Sequence, residues 1–347
     1  MPVRSPARRR SRAAAALLVV VALATACTQD TRPPPRPSDW HPAPVVEGAP
    51  FRAFTSDSWW NTPLPRNAPV NPRADAILNY MSTAAQAGDG CLRLAGAGGS
   101  AWGQPVYWAQ PGDPEYHVTL KNGDGPPELR HLRIPERARS ANNNDGSMSV
   151  FDLARGYVVA FTDAAYDDGS RSWRASGASV TYLASNGLDV RTGEASDPRN
   201  VGNHRGNNGA VMMARLDEVA AGAIDHVLKV ASGPEVSAKH VFPMVGSDGG
   251  SHDPAAPPQG LRFRIRPTVD LDSVGLDPEA LVIAKALQKY GFYIGDSSGV
   301  TALKVEDTRT EGRGQLWQTS ATALCTLPLT PQFWDVLPDG YQPPPPA

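Results

Sequence analysis

Few histidines are available for acid–base catalysis, because the 347-residue chain contains only seven. His204 lies in a polar loop at residues 203–209 with Arg205 and Asn207. Because such a cluster adds little to packing, a binding or catalytic role is plausible. A solvated loop without a function is an equally good interpretation. His240 precedes an apolar run. It is interpreted either as a proton-transfer group or as a structural histidine at a half-buried strand end. We predict proton chemistry for His204 and His240, an anion clamp in Arg205 and substrate binding by Asn207.

Two aspartates complete the predicted catalytic set. Asp152 is a charge inside an alternating strand pattern at residues 147–153, where an unpaired polar group is costly. Asp248 lies in a loop of small residues, 247–253. Two carboxyl groups flanking a glycosidic bond would serve a hydrolase, whereas a lyase needs a base and a cation that neutralises a uronate. No nucleophile, zinc, P-loop or dinucleotide motif is present, so we predict no metal and no cofactor.

A pair of adjacent tryptophans offers a second kind of chemistry. Trp59 and Trp60 present flat apolar faces that suit the C–H-rich surface of a sugar ring, and we predict substrate binding for both. The competing interpretation is that they belong to the core, where tryptophan is more common than on a sugar-binding platform.

The elements that position these residues are mostly strands. Two helices are indicated, one capped by Asn71 with Pro72 following, the other capped by Asp277 with Pro278 following, and a third is indicated at residues 211–221. Short β-rich runs lie at residues 147–153, 157–162, 178–183, 224–231, 261–265 and 292–296, the last expected at a sheet edge. The fold class predicted is mainly β: a single β-sandwich or jelly-roll-like domain with two or three peripheral helices.

The N-terminus has the three parts of a secretory signal: an arginine cluster, an apolar run and small residues before Cys27. Residues 23–27 resemble a bacterial lipobox, which implies cleavage after residue 26 and lipidation of Cys27; ordinary secretion is the alternative. We predict a signal peptide at 1–26, a Pro-rich spacer at 27–50, the globular domain at 51–338 and a disordered Pro-rich tail at 339–347.

The net charge of −2 combines two unlike parts. Residues 1–26 carry five arginines and no acid, so the remainder has 28 basic against 35 acidic residues, a net charge of −7. An acidic body is a poor scaffold for sequence-independent nucleic-acid binding, which we exclude.

Two further cysteines, Cys91 and Cys325, lie far apart in the sequence. Export places them in an oxidising compartment, so we predict a disulfide that ties the two ends of the domain together.

Three motifs resemble those of a group of exported actinobacterial proteins and lipoproteins: SDSWWNTPLP at residues 56–65, PPQGLR at 257–262, and ALQKYG at 286–291 followed by a strand and Asp296. The resemblance spans most of residues 51–310. It implies a single β-rich domain and assigns no catalytic residue. An association with extracellular glycans is our own hypothesis.

These observations predict a monomeric carbohydrate-active enzyme, a glycoside hydrolase or polysaccharide lyase, held on the outer face of the cell membrane by a lipid anchor and acting on an extracellular polysaccharide. The alternative is a lipoprotein that binds glycans, or supports the envelope, without catalysis.

Overall fold

The computed structural model describes residues 40–202 and 205–344. Within these ranges the chain is mainly β, with three α-helices: α1 (Ala74–Thr83), α2 (Leu216–Ala220) and α3 (Pro278–Lys289). The strands, in chain order, are β1 (Val45–Val46), β2 (Ala49–Pro50), β3 (Arg93–Ala95), β4 (Val106–Trp108), β5 (Glu115–Tyr116), β6 (Val118–Leu120), β7 (Leu132–Arg133), β8 (Met148–Asp152), β9 (Tyr157–Thr162), β10 (Ala165–Asp167), β11 (Ser172–Ala175), β12 (Gly177–Tyr182), β13 (Leu228–Ser232), β14 (Arg262–Ile265), β15 (Phe292–Ser297), β16 (Ala302–Lys304) and β17 (Trp334–Val336).

Two sheets dominate the architecture. The larger has six strands in the order β17-β14-β15-β13-β16-β3, and the smaller has four in the order β12-β9-β8-β4. Both sheets are mixed. Three strand pairs are parallel, β13 with β15, β16 with β3, and β4 with β8. The other pairs in these two sheets are antiparallel. A three-stranded sheet, β10-β11-β6, forms a further layer.

Side-chain alternation gives the six-stranded sheet two different faces. Leu228 and Val230 of β13 belong to the core shared with α1 and α3. Lys229 and Ala231, which alternate with them along the strand, line a cleft on the opposite side. Because successive side chains of a strand point to opposite faces, one strand serves both the core and the cleft.

The four-stranded sheet is apolar on both faces. Val150 and Val159 pack with Trp173 of the three-stranded sheet in one core cluster. Phe151 and Val158 belong to another cluster, which they share with Tyr293 of the six-stranded sheet. The result is a sandwich-like stack of layers, with helices outside the six-stranded sheet.

The two helices predicted from their capping residues, α1 and α3, are present. α3 begins as predicted, because the Oδ1 of Asp277 accepts the amide of Ala280 at 2.9 Å and Pro278 fills the first position. α1 begins at residue 74 rather than directly after Asn71, whose Oδ1 instead accepts the amide of Arg73 in a preceding turn. The third helix is limited to residues 216–220 of the predicted 211–221.

The strand predictions at residues 147–153, 157–162, 178–183 and 261–265 agree with the structure to within one residue at most ends. The run at 224–231 forms a strand only from residue 228. The prediction that the last run lies at a sheet edge is wrong: β15 lies between β14 and β13. The first four residues of β15 are buried in this central position.

Residues on both sides of the predicted 51–338 domain make contacts in the structure. In the stretch assigned to the spacer, β1 and β2 form a hairpin, and the guanidinium of Arg313 lies 4.2 Å from the ring centroid of Trp40. In the stretch assigned to the tail, Asp339 accepts a hydrogen bond from Asn71 at 3.1 Å.

The predicted disulfide between Cys91 and Cys325 is confirmed, with Cα atoms 5.0 Å apart across a sequence separation of 234. None of the helices in the described ranges has the length and apolar composition needed to cross a bilayer.

Candidate functional site

A cleft of about 870 Å³ opens between the two large sheets. One wall comes from β9 and β12, and the other from β13, β15 and β16. The charged residues that line it are Asp145, Arg191, Arg205, Lys229, Asp248, Asp296 and Lys304. A concave site between layers with several convergent polar groups is the usual location of a ligand site.

A β-bulge brings Asp296 into this cleft. Along the β13–β15 pair, Val230 faces Ile294, but the next residue, Ala231, faces Asp296, so Gly295 has no partner of its own. Ile294 points into the helix-side core, and without the extra residue Asp296 would point the same way. The bulge therefore turns a carboxylate from the core towards the cleft, as bulges near functional sites often do.

Arg205 joins two of the three carboxylates that line the cleft, Asp248 and Asp296. Its Nη2 lies 2.9 Å from the Oδ1 of Asp296 and also donates to the Oδ2 of Asp248. The second oxygen of Asp296 lies 3.2 Å from the Nζ of Lys229. The side chains of Asp248 and Asp296 keep 25% and 29% of their exposure, so a ligand in the cleft can reach both.

Asp248 is held in its ionised form. Burial would raise its pKa, but hydrogen bonds from Arg205, Ser297 and Gln259 outweigh that effect and keep the pKa below its ordinary value. Ser297 donates through its Oγ at 3.0 Å and Gln259 through its side-chain amide.

Lys229 and Arg205 are the least exposed cations of the cleft, with 15% and 13% of their side chains exposed. Burial lowers the pKa of the Lys229 ammonium, Asp296 opposes that shift, and the positive charges of Arg205 and Lys304 add to it. Lys229 therefore gives up its proton more readily than a surface lysine does.

The cations of the cleft are each matched by a carboxylate in the described part of the chain. Arg205 and Lys229 contact Asp248 and Asp296 as above. Lys304 lies 2.9 Å from Asp145, and Arg191 lies 2.8 Å from the buried Asp189. Four cations thus meet four carboxylates, and these groups leave no surplus of positive charge.

Asn207 does not line the cleft but contacts one of its walls from the protein interior. It is 1% exposed, and its Nδ2 donates to the carbonyl of Gly295 at 3.1 Å, directly on the bulge. The neighbouring Asn208 donates to Thr181 of β12 at 3.1 Å. The two amides tie this loop to both sheets, which is a positioning role and not the direct substrate contact predicted for Asn207.

The predicted proton-transfer groups that the structure describes, His240, Asp152 and Asp248, do not line one site: only Asp248 lies in the cleft. Arg205 and Asp248 meet in the cleft, but His204 lies outside the described residues. His240 is exposed and does not line the cleft, although its backbone pairs with Gln259, whose side chain holds Asp248.

Asp152 is placed away from the cleft, in a buried ion pair. It is 0% exposed, and both its oxygens accept from Arg133, at 2.7 and 2.8 Å. The fork of the guanidinium satisfies the carboxylate that looked unpaired in the strand pattern. Its geometry is that of a structural residue, and no polysaccharide can reach it.

Of the paired tryptophans, Trp60 belongs to the interior, whereas Trp59 is partly buried and lines a second cavity of about 500 Å³. Trp60 is 2% exposed and packs edge-on against Tyr293, and the ring of the partly buried Trp59 stacks on Tyr293 at 4.6 Å. The guanidinium of Arg262 lies 5.1 Å from the Tyr293 ring and donates to the carbonyl of Tyr290 at 2.9 Å. The three sequence motifs thus meet in one packed cluster, and this position corrects the prediction of a sugar platform for Trp60.

Lys229 and Asp296 are among the charged cleft residues that were missed as site candidates. Lys229 carried a usable signal, since it is a charge within an apolar strand, as is Asp152. Asp296 follows the strand of the third motif, but its direction depends on the bulge, which no local residue pattern announces.

Among the described residues, one cluster has the spacing of metal ligands: Asp89 with Cys91 and Cys325. The two sulfurs are bonded to each other and so are not thiolate ligands. Comparison with protein families, with curated proteins and with solved structures finds no match for this chain.

Proposed function

We propose that the protein is a carbohydrate-active enzyme, a glycoside hydrolase that binds an extracellular or cell-envelope glycan in the cleft between the two sheets. The observation that carries this proposal is the pair of accessible carboxylates, Asp248 and Asp296, on a single guanidinium nitrogen of Arg205.

The spacing of the pair supports a retaining mechanism. Two oxygens that bond to the same nitrogen lie no more than about 6 Å apart, twice a hydrogen-bond length. Retaining glycosidases hold their carboxyl groups at ~5–5.5 Å, and inverting enzymes hold them at ~6.5–9.5 Å to admit a water.

The environments of the two groups suggest their roles. Asp248 has a lowered pKa and acts as the nucleophile that bonds to the anomeric carbon. Asp296 gives its proton to the leaving oxygen as the glycosidic bond breaks, and then accepts a proton from the water that releases the sugar. Asp296 is held in place for this role by Lys229, whose Nζ lies 3.2 Å from its second oxygen.

Charge compensation favours a neutral glycan. A polymer with a carboxylate on each sugar is best attracted by a surplus of cations, whereas the described residues of this cleft present paired charges. Paired carboxylates, ammonium and guanidinium groups can instead exchange hydrogen bonds with sugar hydroxyls.

A polysaccharide lyase is the second candidate, supported by Lys229. A lysine with a lowered pKa could remove the proton next to a uronate carboxyl while Arg205 neutralises that carboxylate. This reaction would leave an unsaturated sugar at the new chain end.

The test is incubation with neutral cell-wall arabinogalactan and with polygalacturonan. We expect new reducing ends from arabinogalactan without ultraviolet absorbance from unsaturated products. The variants Asp248→Asn and Asp296→Asn should each lose about 10³-fold in kcat. Asp272→Asn, which breaks an exposed pair with Lys285, is the matched control and should keep full activity.

Unsaturated products would show that the enzyme is a lyase and not a hydrolase. Binding without any product would support the alternative of a non-catalytic glycan-binding or envelope lipoprotein, and full activity in both aspartate variants would place the chemistry elsewhere.

The proposal includes an outer-surface location with a lipid anchor on Cys27, which lies outside the described residues. Replacing Cys27 with Ser should move the protein from the membrane fraction to the medium while Asp248-dependent activity persists. Equal membrane retention of both forms would count against the anchor.

A further inference from the structure

Ser147 is a buried residue of the cleft wall whose hydroxyl is unsatisfied. It lines the cleft and is 5% exposed, and its Oγ has no hydrogen-bond partner among the described residues. A buried hydroxyl without a partner lowers the stability of a fold, because water solvates the same group in the unfolded chain. A ligand that supplies the missing hydrogen bond would explain why such a group is present.

The alternation along β8 places this side chain on the cleft side of its sheet. Met148 and Val150 pack in the core cluster of the three-stranded sheet. Ser149, which alternates with them, accepts a hydrogen bond at 2.8 Å from Gln104, a residue of the cleft lining. Ser147 lies two residues before Ser149 and therefore faces the same way.

The charged neighbours of Ser147 are already paired with each other. Asp145 lies 2.9 Å from Lys304, both residues line the cleft, and their side chains keep 46% and 33% of their exposure. Because the two charges cancel, this part of the cleft favours a neutral ligand. The ammonium donates hydrogen bonds, the carboxylate accepts them and the serine hydroxyl can do both, which suits the hydroxyl groups of a sugar ring.

This group lies beside the Asp248–Asp296 pair and not on it. Asp296 of β15 faces Ala231 of β13, and Ala231 faces Ala302 of β16, the strand that carries Lys304. Two strand spacings of ~4.8 Å each therefore separate the strand of Asp296 from that of Lys304.

We propose that Ser147, with the Asp145–Lys304 pair, binds the hydroxyl groups of a neutral sugar residue further along the glycan from the bond that is cleaved. The inference rests on the proposed function, because the same glycan chain must reach the carboxylate pair. It makes Ser147 a specificity-determining residue: a sugar without the matching hydroxyl leaves the Oγ buried and unpaired.

Removing the hydroxyl should change binding and stability in different directions. Ser147→Ala should weaken the binding of soluble arabinogalactan roughly 3- to 10-fold. The Tm of this variant without ligand should equal or exceed that of the unaltered protein, because a buried group without a partner is gone. The shortest oligosaccharide that is cleaved does not reach Ser147, and its KM should not change.

Ser232→Ala is the matched control. Ser232 is 0% exposed, lies outside the cleft lining and donates through its Oγ to the carbonyl of Pro234 at 2.6 Å. Because this hydroxyl has a partner within the protein, its removal should lower the Tm and leave arabinogalactan binding unchanged.

The outcomes separate the subsite from the enzyme. Unchanged binding or a lower Tm in Ser147→Ala, or an equal loss of affinity at every chain length, overturns the subsite, and Asp248-dependent cleavage by the unaltered protein then still supports the hydrolase. Ser147-dependent binding without cleavage supports the subsite and overturns the hydrolase. An unaltered protein that binds neither arabinogalactan nor its oligosaccharides overturns both.

Discussion

Asp152 and Lys229 are both charges within strands, and the structure assigns them to different environments. Asp152 meets Arg133 in the interior, and the two satisfy each other. Lys229 meets Asp296 at the wall of an open cleft and keeps a path to solvent. A sequence shows that such a charge needs a partner, but the identity of the partner depends on tertiary contacts.

The Asp152–Arg133 pair permits a stability prediction. Asp152→Ala leaves the buried Arg133 without its carboxylate and should lower the free energy of unfolding by ~3–5 kcal/mol, measured by urea denaturation. The double variant Arg133→Met with Asp152→Leu should lose much less, because no charge stays buried. Equal losses in the single and double variants would contradict this account.

Lys229 permits a pH prediction. Its pKa is lowered in the folded state, so between that pKa and the unfolded value of about 10.4 the unfolded chain holds more protons. Its contribution to stability is therefore least favourable at low pH and improves as the pH rises through this window. The free energy of unfolding of the unaltered protein minus that of Lys229→Met should increase with pH, and a flat difference would count against the burial effect.

The candidate site could be predicted only in part. The loops that carry Arg205 and Asp248 stood out because polar clusters there have no packing value. The prediction for Trp60 is wrong because the aromatic residue that covers it, Tyr293, lies more than two hundred residues away in sequence. Local pattern cannot distinguish a stacked core ring from an exposed one.

At the scale of elements, the β13–β15 pair shows how a small irregularity positions the site. A regular strand would have turned Asp296 into the helix-side core, and the bulge at Gly295 prevents this. Gly295 also leaves space for its neighbours: a Cβ there would lie 3.1 Å from the Cγ of Lys229 and 3.3 Å from the Nδ2 of Asn207.

Gly295→Ala therefore tests the bulge. The added methyl group should displace the flexible Lys229 side chain and disturb the Asp296 contact, so activity should fall by about tenfold or more, since small misplacements of catalytic groups are costly. The free energy of unfolding should change by less than ~1 kcal/mol. Gly299→Ala, where a Cβ meets nothing within 4 Å, is the control. Unchanged activity with Gly295→Ala would remove the bulge from the account of the site.

The elements themselves were the most predictable level of the fold. α3 was marked by Asp277, Pro278 and a regular apolar face, and β9 by a run of apolar residues between turn signals. The central position of β15 was not predictable, because strand order is set by contacts between distant segments and the strand itself looks the same at either position.

At the scale of the whole molecule, one covalent bond links the segment after α1 to a turn near the C-terminus. In the chain-entropy model, opening a loop of this length should lower the free energy of unfolding by about 5 kcal/mol. Replacing both Cys91 and Cys325 with Ser should lower the Tm. The unaltered protein, once its disulfide is reduced, should have the same Tm as the double variant. Two different melting temperatures would show that the serines, and not the lost bond, cause the change.

The strand order of the six-stranded sheet has a consequence for the timing of synthesis. One edge strand, β3, ends at residue 95, and the other, β17, ends at residue 336, with the strands between them drawn from residues 228–304. No ribosome-bound fragment can complete this sheet until almost the entire chain has emerged. The nascent polypeptide therefore stays without its main core for nearly the whole of translation, a state in which chaperones and translocation machinery can still engage an unfolded chain.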